Sequence, residues 1–138
     1  MKRSIRSAIF LLAAIAPLAH AADLTIRVDN VRSVGGQLMV ALYDGAATFL
    51  KQPARSQGVP AEAGSTTVVF RDLAPGRYAI TVYHDANGNG KMDSNMMGTP
   101  VEAYAFGNDA QGRMGPPSFD DAALAVPAAG LATHVTLR

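Results

Sequence analysis

Arg77-Tyr78-Ala79-Ile80-Thr81-Val82-Tyr83-His84 decides the fold class. Tyr78, Ile80, Val82 and His84 fall on one face of an extended chain, and Arg77, Ala79, Thr81 and Tyr83 on the other. Period-two alternation of this kind predicts a strand buried on one side. Upstream, Leu73-Ala74-Pro75-Gly76 predicts a type II turn, since Pro presets φ and Gly accepts a positive φ at the next position. Thr66 to Arg71, carrying Val68 and Phe70, predicts another strand. Further out, Leu24, Ile26 and Val28 alternate with Thr25, Arg27 and Asp29, and Leu38, Val40 and Leu42 repeat the pattern within Gln37 to Tyr43. Gly35-Gly36 between them predicts a hairpin.

Asp44 to Gly64 reads as a loop with one apolar knot, Phe49-Leu50, expected to plug an end of the core. Strand character returns at Ser118 to Val126 and at Leu131 to Leu137. With no heptad and no amphipathic helix, the expected fold is all-β: an immunoglobulin-like or transthyretin-like β-sandwich of about seven strands.

The N-terminus reads differently. Lys2, Arg3 and Arg6 precede an apolar run, Ala8 to Ala19, and Ala19-His20-Ala21 supplies small residues at a cleavage position. This is the layout of a secretory leader, and the run falls short of the about 20 residues a membrane helix needs. The expectation is a signal peptide over residues 1–21, a single domain over 22–138, and a periplasmic or secreted location. The leader would carry off three of the 12 basic residues and none of the 11 acidic ones, leaving a slightly acidic mature chain. No basic stripe remains, which argues against nucleic acid as a partner. No later stretch is long and apolar enough to span a membrane. The chain has no cysteine, so packing must supply its stability.

Chemistry concentrates in Asp85-Ala86-Asn87-Gly88-Asn89-Gly90-Lys91-Met92-Asp93. Asp85, Asn87, Asn89 and Gly90 match the first half of a calcium-loop pattern. Ca²⁺ takes six to eight oxygens, and alternate side chains converge on one point when a glycine permits a sharp bend. Asp85, Asn87 and Asn89 would offer side-chain oxygens, Lys91 its backbone carbonyl, and Asp93 a carboxylate directly or through water. The closing glutamate of an EF-hand is missing, because Met96 holds that position. Glu102 is the first candidate to replace it, with Asn95 and Asp44 as alternatives. Read purely as an ion ligand, Asp85 would be dispensable to the metal-free fold. The competing account is a set of Asx turns, in which such side chains bond their own backbone without any metal.

Other candidates carry less. His84 suits a strand end satisfied by a carbonyl, and His134 an outward, solvated position. With His20 in the leader, the two remaining histidines and no cysteine do not make a zinc site. Ser118, His84 and Asp85 do not compose a triad, since adjacent His and Asp on a strand point to opposite faces, and catalysis is not expected. Tyr83, Tyr104, Phe106 and Phe119 either cover the end of the sandwich or form a surface for a small ligand or carbohydrate.

The run from Leu73 through Asn95, the continuation Gly98-Thr-Pro-Val-Glu-Ala-Tyr-Ala-Phe-Gly-Asn-Asp-Ala110 and Gly115-Pro-Pro-Ser-Phe-Asp-Asp-Ala122 resemble the exported bacterial family "domain of unknown function 2141". The resemblance spans about Leu24 to Leu137. It implies a signal peptide, a β-sandwich and an important Asp85–Glu102 segment, and it favours Glu102 as a site residue. It brings no activity. Met96 and Met97 stand where large apolar residues are expected to pack. The resulting expectation is a non-catalytic, monomeric envelope module with a Ca²⁺-type loop, its partner an envelope protein or glycan.

Overall fold

The computed structural model describes residues 21–138. The leader expectation therefore lies almost wholly outside the described residues. Eight strands form: β1 (Ala22–Val31), β2 (Gln37–Tyr43), β3 (Arg55–Pro60), β4 (Gly64–Leu73), β5 (Gly76–Asp85), β6 (Tyr104–Phe106), β7 (Ala123–Val126) and β8 (Leu131–Thr136). One short helix, α1 (Phe119–Ala122), precedes β7. The fold is all-β, as the alternation predicts.

Two sheets face each other. The smaller has the order β4-β1-β8, with β1 antiparallel to β4 and parallel to β8. The larger has the order β3-β2-β5-β6, and β7 joins β5 beyond the end of β6. The inward faces are the ones the sequence marks. Leu24, Ile26 and Val28 of β1 and Val68 and Phe70 of β4 meet Leu38, Val40 and Leu42 of β2 and Ile80 and Val82 of β5 in one buried cluster. Fully burying each such side chain contributes about 1.5–3 kcal/mol, and no disulfide is needed.

The predicted β1–β2 hairpin does not form. β1 lies in the small sheet and β2 in the large one, so Arg32 to Gly36 carries the chain across the sandwich. Both strands bury an apolar face, and opposite sides of one core satisfy both faces. Gly36 (φ +66°) is still required, for another reason: a Cβ there would collide with the backbone carbonyl of Asp85. The predicted type II turn also fails. Positive φ falls on Asp72 (58°), while Gly76 begins β5.

β3 was invisible to alternation because Arg-Ser-Gln-Gly-Val-Pro has almost no buried side. It is an edge strand held by its backbone ladder to β2. Its side chains also clasp the other sheet: Gln57 Nε2 donates to the Val69 carbonyl at 2.9 Å and Arg55 Nη1 to that of Arg71 at 3.3 Å. Polar side chains seated on the neighbouring edge leave less open ladder for another chain. Within the strand predicted at Ser118 to Val126, the first half coils into α1. Ser118 caps it, its hydroxyl accepting from Asp121 N at 3.1 Å.

Candidate functional site

β5 ends at Asp85, and the chain does not re-enter the sheet until Tyr104. The segment between them is organised by three carboxylates. Asp85 is 2% exposed. Its Oδ1 accepts from Asn89 N at 3.1 Å and its Oδ2 from Gly90 N at 2.8 Å. Gly88 and Gly90 have positive φ (72° and 74°), which bends the backbone so that these N–H groups point back at Asp85. Glu102 closes the loop from the other side: Oε1 accepts from Ala86 N at 3.2 Å and Oε2 from Asp93 N at 3.0 Å. Asp93 is the meeting point of the side chains. Asn89 Nδ2 donates to Asp93 Oδ1 at 2.8 Å, and Asn87 Nδ2 donates to Asp93 Oδ2.

Five of the six residues singled out in the sequence thus share one network: Asp85, Asn87, Asn89, Asp93 and Glu102. Lys91 enters through its backbone N–H, which donates to Asn89 Oδ1 at 2.9 Å. The network is at the same time the Asx-turn arrangement, since Asn87 Oδ1 accepts from Asn89 N at 3.2 Å. Among the described residues, no three of the His, Cys, Asp and Glu side chains stand close enough together to hold a metal by themselves. An ion here would draw on amide and backbone oxygens as well.

Two alternative donors drop out. Asn95 Oδ1 accepts from Met97 N and Thr99 N, both at 3.0 Å, and builds its own small turn. Asp44 follows Tyr43, which pairs with Ala79, whereas Asp85 pairs with Gln37 at the other end of the sheet. Met96 and Met97 do not pack; they are 105% and 90% exposed. They lie in the turn between Asn95 and Thr99, outside both buried clusters. Asp85 also has a task that needs no metal: both of its oxygens accept from loop N–H groups at a buried position.

The loop is tied to the scaffold by residues the motif does not contain. His84, 5% exposed, places Nε2 at 2.8 Å from the Gly35 carbonyl, and its backbone N–H donates to Ala103 O at 2.9 Å. The first contact satisfies the expectation of a strand-end histidine held by a carbonyl. Tyr83 donates its hydroxyl to the Gly90 carbonyl at 3.1 Å. Burial raises the Tyr83 phenol above its ordinary pKa, and the nearby charges of Asp85, Glu102 and Asp93, and more weakly Tyr43, push it the same way. Ser118, caught in its helix cap, also bonds Asp121 Oδ2 at 2.8 Å. His134 is exposed on β8, as alternation predicts.

The aromatic residues mostly cover the outer face of the large sheet. Phe49 packs edge-on to Tyr43, Phe106 and Phe119 at centroid distances of 5.4, 6.4 and 6.1 Å. The Phe49 knot therefore sits on the outside of the large sheet rather than plugging the core. Tyr104 stacks edge-on against Phe106 at 5.9 Å. Phe119 lies under the Arg77 guanidinium, 5.5 Å from ring centre to Cζ.

Two sheets closed on one core, with a long Asx-rich loop at the end of a central strand, define the class: a β-sandwich domain with a carboxylate-braced loop. The chain belongs to the family described as uncharacterized protein conserved in bacteria (DUF2141), whose profile matches residues 26–134. No curated protein and no solved structure matches the chain.

Proposed function

We propose that this protein is a non-catalytic, exported envelope module whose Asp85–Glu102 loop is ordered by Ca²⁺. The observation that carries it is the convergence on Asp93. Asn87 and Asn89 are exposed, yet both turn to one carboxylate, each Nδ2 donating to one oxygen of Asp93. Asp85 and Glu102 hold the backbone around that point. A hard cation there would replace the positive ends of two amide dipoles. With their amides turned over, giving up the bonds from Asn89 N and Lys91 N, Asn87 and Asn89 would offer side-chain oxygens alongside Asp93 and Asp85, the Lys91 carbonyl would offer one more, and Glu102 would act as a brace and a further donor.

The donor set is all oxygen, which suits Ca²⁺ over softer metals. Few of the donors are charged, so affinity falls on the order of 10⁻⁴–10⁻³ M, the range of extracellular modules. Export is inferred from the leader-like N-terminus. The absence of any catalytic motif in the sequence, and the engagement of His84 and Ser118 with structural partners, support a binding or structural role over an enzyme.

Calorimetric melting with Ca²⁺ and with chelator tests the ion site. At about ten-fold excess over Kd, binding to the folded state adds about 1.4 kcal/mol, seen as a rise in Tm that Mg²⁺ does not reproduce. Asp93→Ala should abolish that rise. No binding heat and an unmoved Tm at millimolar Ca²⁺ would refute the proposal.

A further inference from the structure

The outer face of the large sheet is only partly covered. Beside the Phe49 cluster runs an open groove of about 850 Å³, within the range of about 300–1,000 Å³ that small-molecule sites occupy. Its floor is made by outward residues of three strands: Tyr43 of β2, Thr81 and Tyr83 of β5, and Tyr104 of β6. Alternation places them there, because their chain neighbours Leu42, Ile80, Val82 and Ala105 point into the core. Met92 and Met97 wall one side, and Met114, after β6, and Leu50, after β2, add further apolar lining.

The rim is costly in water. Met97 is 90% and Met114 109% exposed, and Leu50 is 43% exposed. Large apolar side chains gathered around one concave surface mark a binding site rather than ordinary surface scatter. Methionine is unbranched and flexible, so such walls follow a ligand that is itself flexible. Thr81, Ser94, Thr99 and Gln111 also line the groove, but its exposed large side chains Met97, Met114 and Leu50 are apolar, and a sugar seated among them would leave hydroxyls unpaired, which is costly. Charge narrows the choice further. No Asp or Glu lines the groove, and its one cationic side chain is Arg138. The Arg138 backbone bonds Tyr104 in both directions (3.1 and 3.2 Å), and its Nη2 donates to the Asp109 carbonyl at 3.1 Å. That anchoring keeps the guanidinium beside the groove, and its fork of five N–H donors exceeds what one carbonyl uses.

We propose that this groove binds a free long-chain fatty acid, its alkyl chain between the methionines over the tyrosine floor and its carboxylate toward Arg138. The assignment stands independently of any ion in the neighbouring loop, so it is tested in chelator. Palmitate is titrated, below its aggregation concentration, into the purified protein. The chain has 4 tyrosines and no tryptophan, and Tyr43, Tyr83 and Tyr104 all line the groove. Tyrosine emission therefore reports occupancy directly, with calorimetry as a second readout.

Saturable binding is expected. Met97→Gln with Met114→Gln should weaken it about ten-fold, or roughly 1.4 kcal/mol, with an unchanged melting curve because both side chains are exposed. Arg138→Gln should weaken palmitate about ten-fold and leave the matching fatty alcohol unaffected. The proposal is overturned if palmitate does not saturate, if the double variant binds as tightly as the parent, or if the matching fatty amine binds as well as the acid. It is equally overturned if the protein pellets with phosphatidylcholine vesicles while ignoring monomeric palmitate, which would assign the groove to a lipid surface. Self-association that the methionine variants abolish, without palmitate binding, would assign it to a second copy.

Discussion

Between the sheets, Leu24, Ile26, Phe70 and Val82 are held by apolar contact, and their burial leaves nothing for solutes to compete with. Just past Val82, at Asp85, the same strand enters a segment held by hydrogen bonds, six of them from N–H donors aimed at the carboxylates of Asp85, Asp93 and Glu102. The two regions share a backbone but not a source of order. Hydrophobic burial depends on area and is nearly blind to ions and pH. A network around carboxylates depends on charge state and on any cation that enters it. Changes in the core should therefore destabilise the whole molecule, whereas changes in the loop should register in local protection and in responses to metal and pH.

Phe70→Ala tests that contrast at its largest. It removes a fully buried ring and should cost about 3–5 kcal/mol in urea unfolding, with the Ca²⁺ response of the remaining folded protein unchanged. Gly36→Ala strikes the joint between the regions. The substituted residue would need a left-handed φ and would collide with the Asp85 carbonyl, for a loss of about 3 kcal/mol. Should it unfold the loop alone, hydrogen exchange at Asn89 and Gly90 will quicken while amides of β1 and β4 stay protected.

Asp85→Ala should cost about 2 kcal/mol even with chelator present, since two N–H groups lose a charged acceptor. An unchanged metal-free melting point would show that Asp85 serves only an ion and would erase the distinction between brace and ligand.

Tyr83→Phe is the smallest effect and sharpens the comparison through pH. The folded state raises the Tyr83 pKa, so folding holds its proton more tightly than the unfolded chain does. That contribution is complete below the unfolded value of about 10 and is lost as pH rises through the folded value. In metal-free buffer the parent should lose stability on this alkaline limb, and Tyr83→Phe should flatten it. Identical limbs would show that neither burial nor the loop carboxylates hold the phenol's proton.

Much of the scaffold was legible because β1, β2, β4, β5 and β8 each bury one side, and burial of one side writes an alternation into the chain. β3 was not legible because an edge strand with polar side chains is defined by its ladder to β2 and not by a buried face. α1 was hidden inside a strand-like run because a Ser118 cap and one helical turn leave no periodicity to detect. In the loop, the D-x-N-x-N-G spacing identified the residues that meet. The roles of His84 and Tyr83 as ties to Gly35 and Gly90 were outside any motif, since the first depends on how β2 and β5 lie together and the second on how the loop folds back over its own strand.

Taken alone, the order of residues determined which segments extend, which of their faces turn inward, and which short stretch concentrates oxygen donors. Each of these follows from neighbours one to five positions apart. The tertiary structure decided that β1 and β2 part to opposite sheets, that Gly36 makes room for Asp85, that Glu102 reaches back to Ala86 and Asp93, and that the methionines rim a groove. Those outcomes rest on choosing among several compatible strand edges and acceptors distant in sequence, and that choice is made by how the whole core packs.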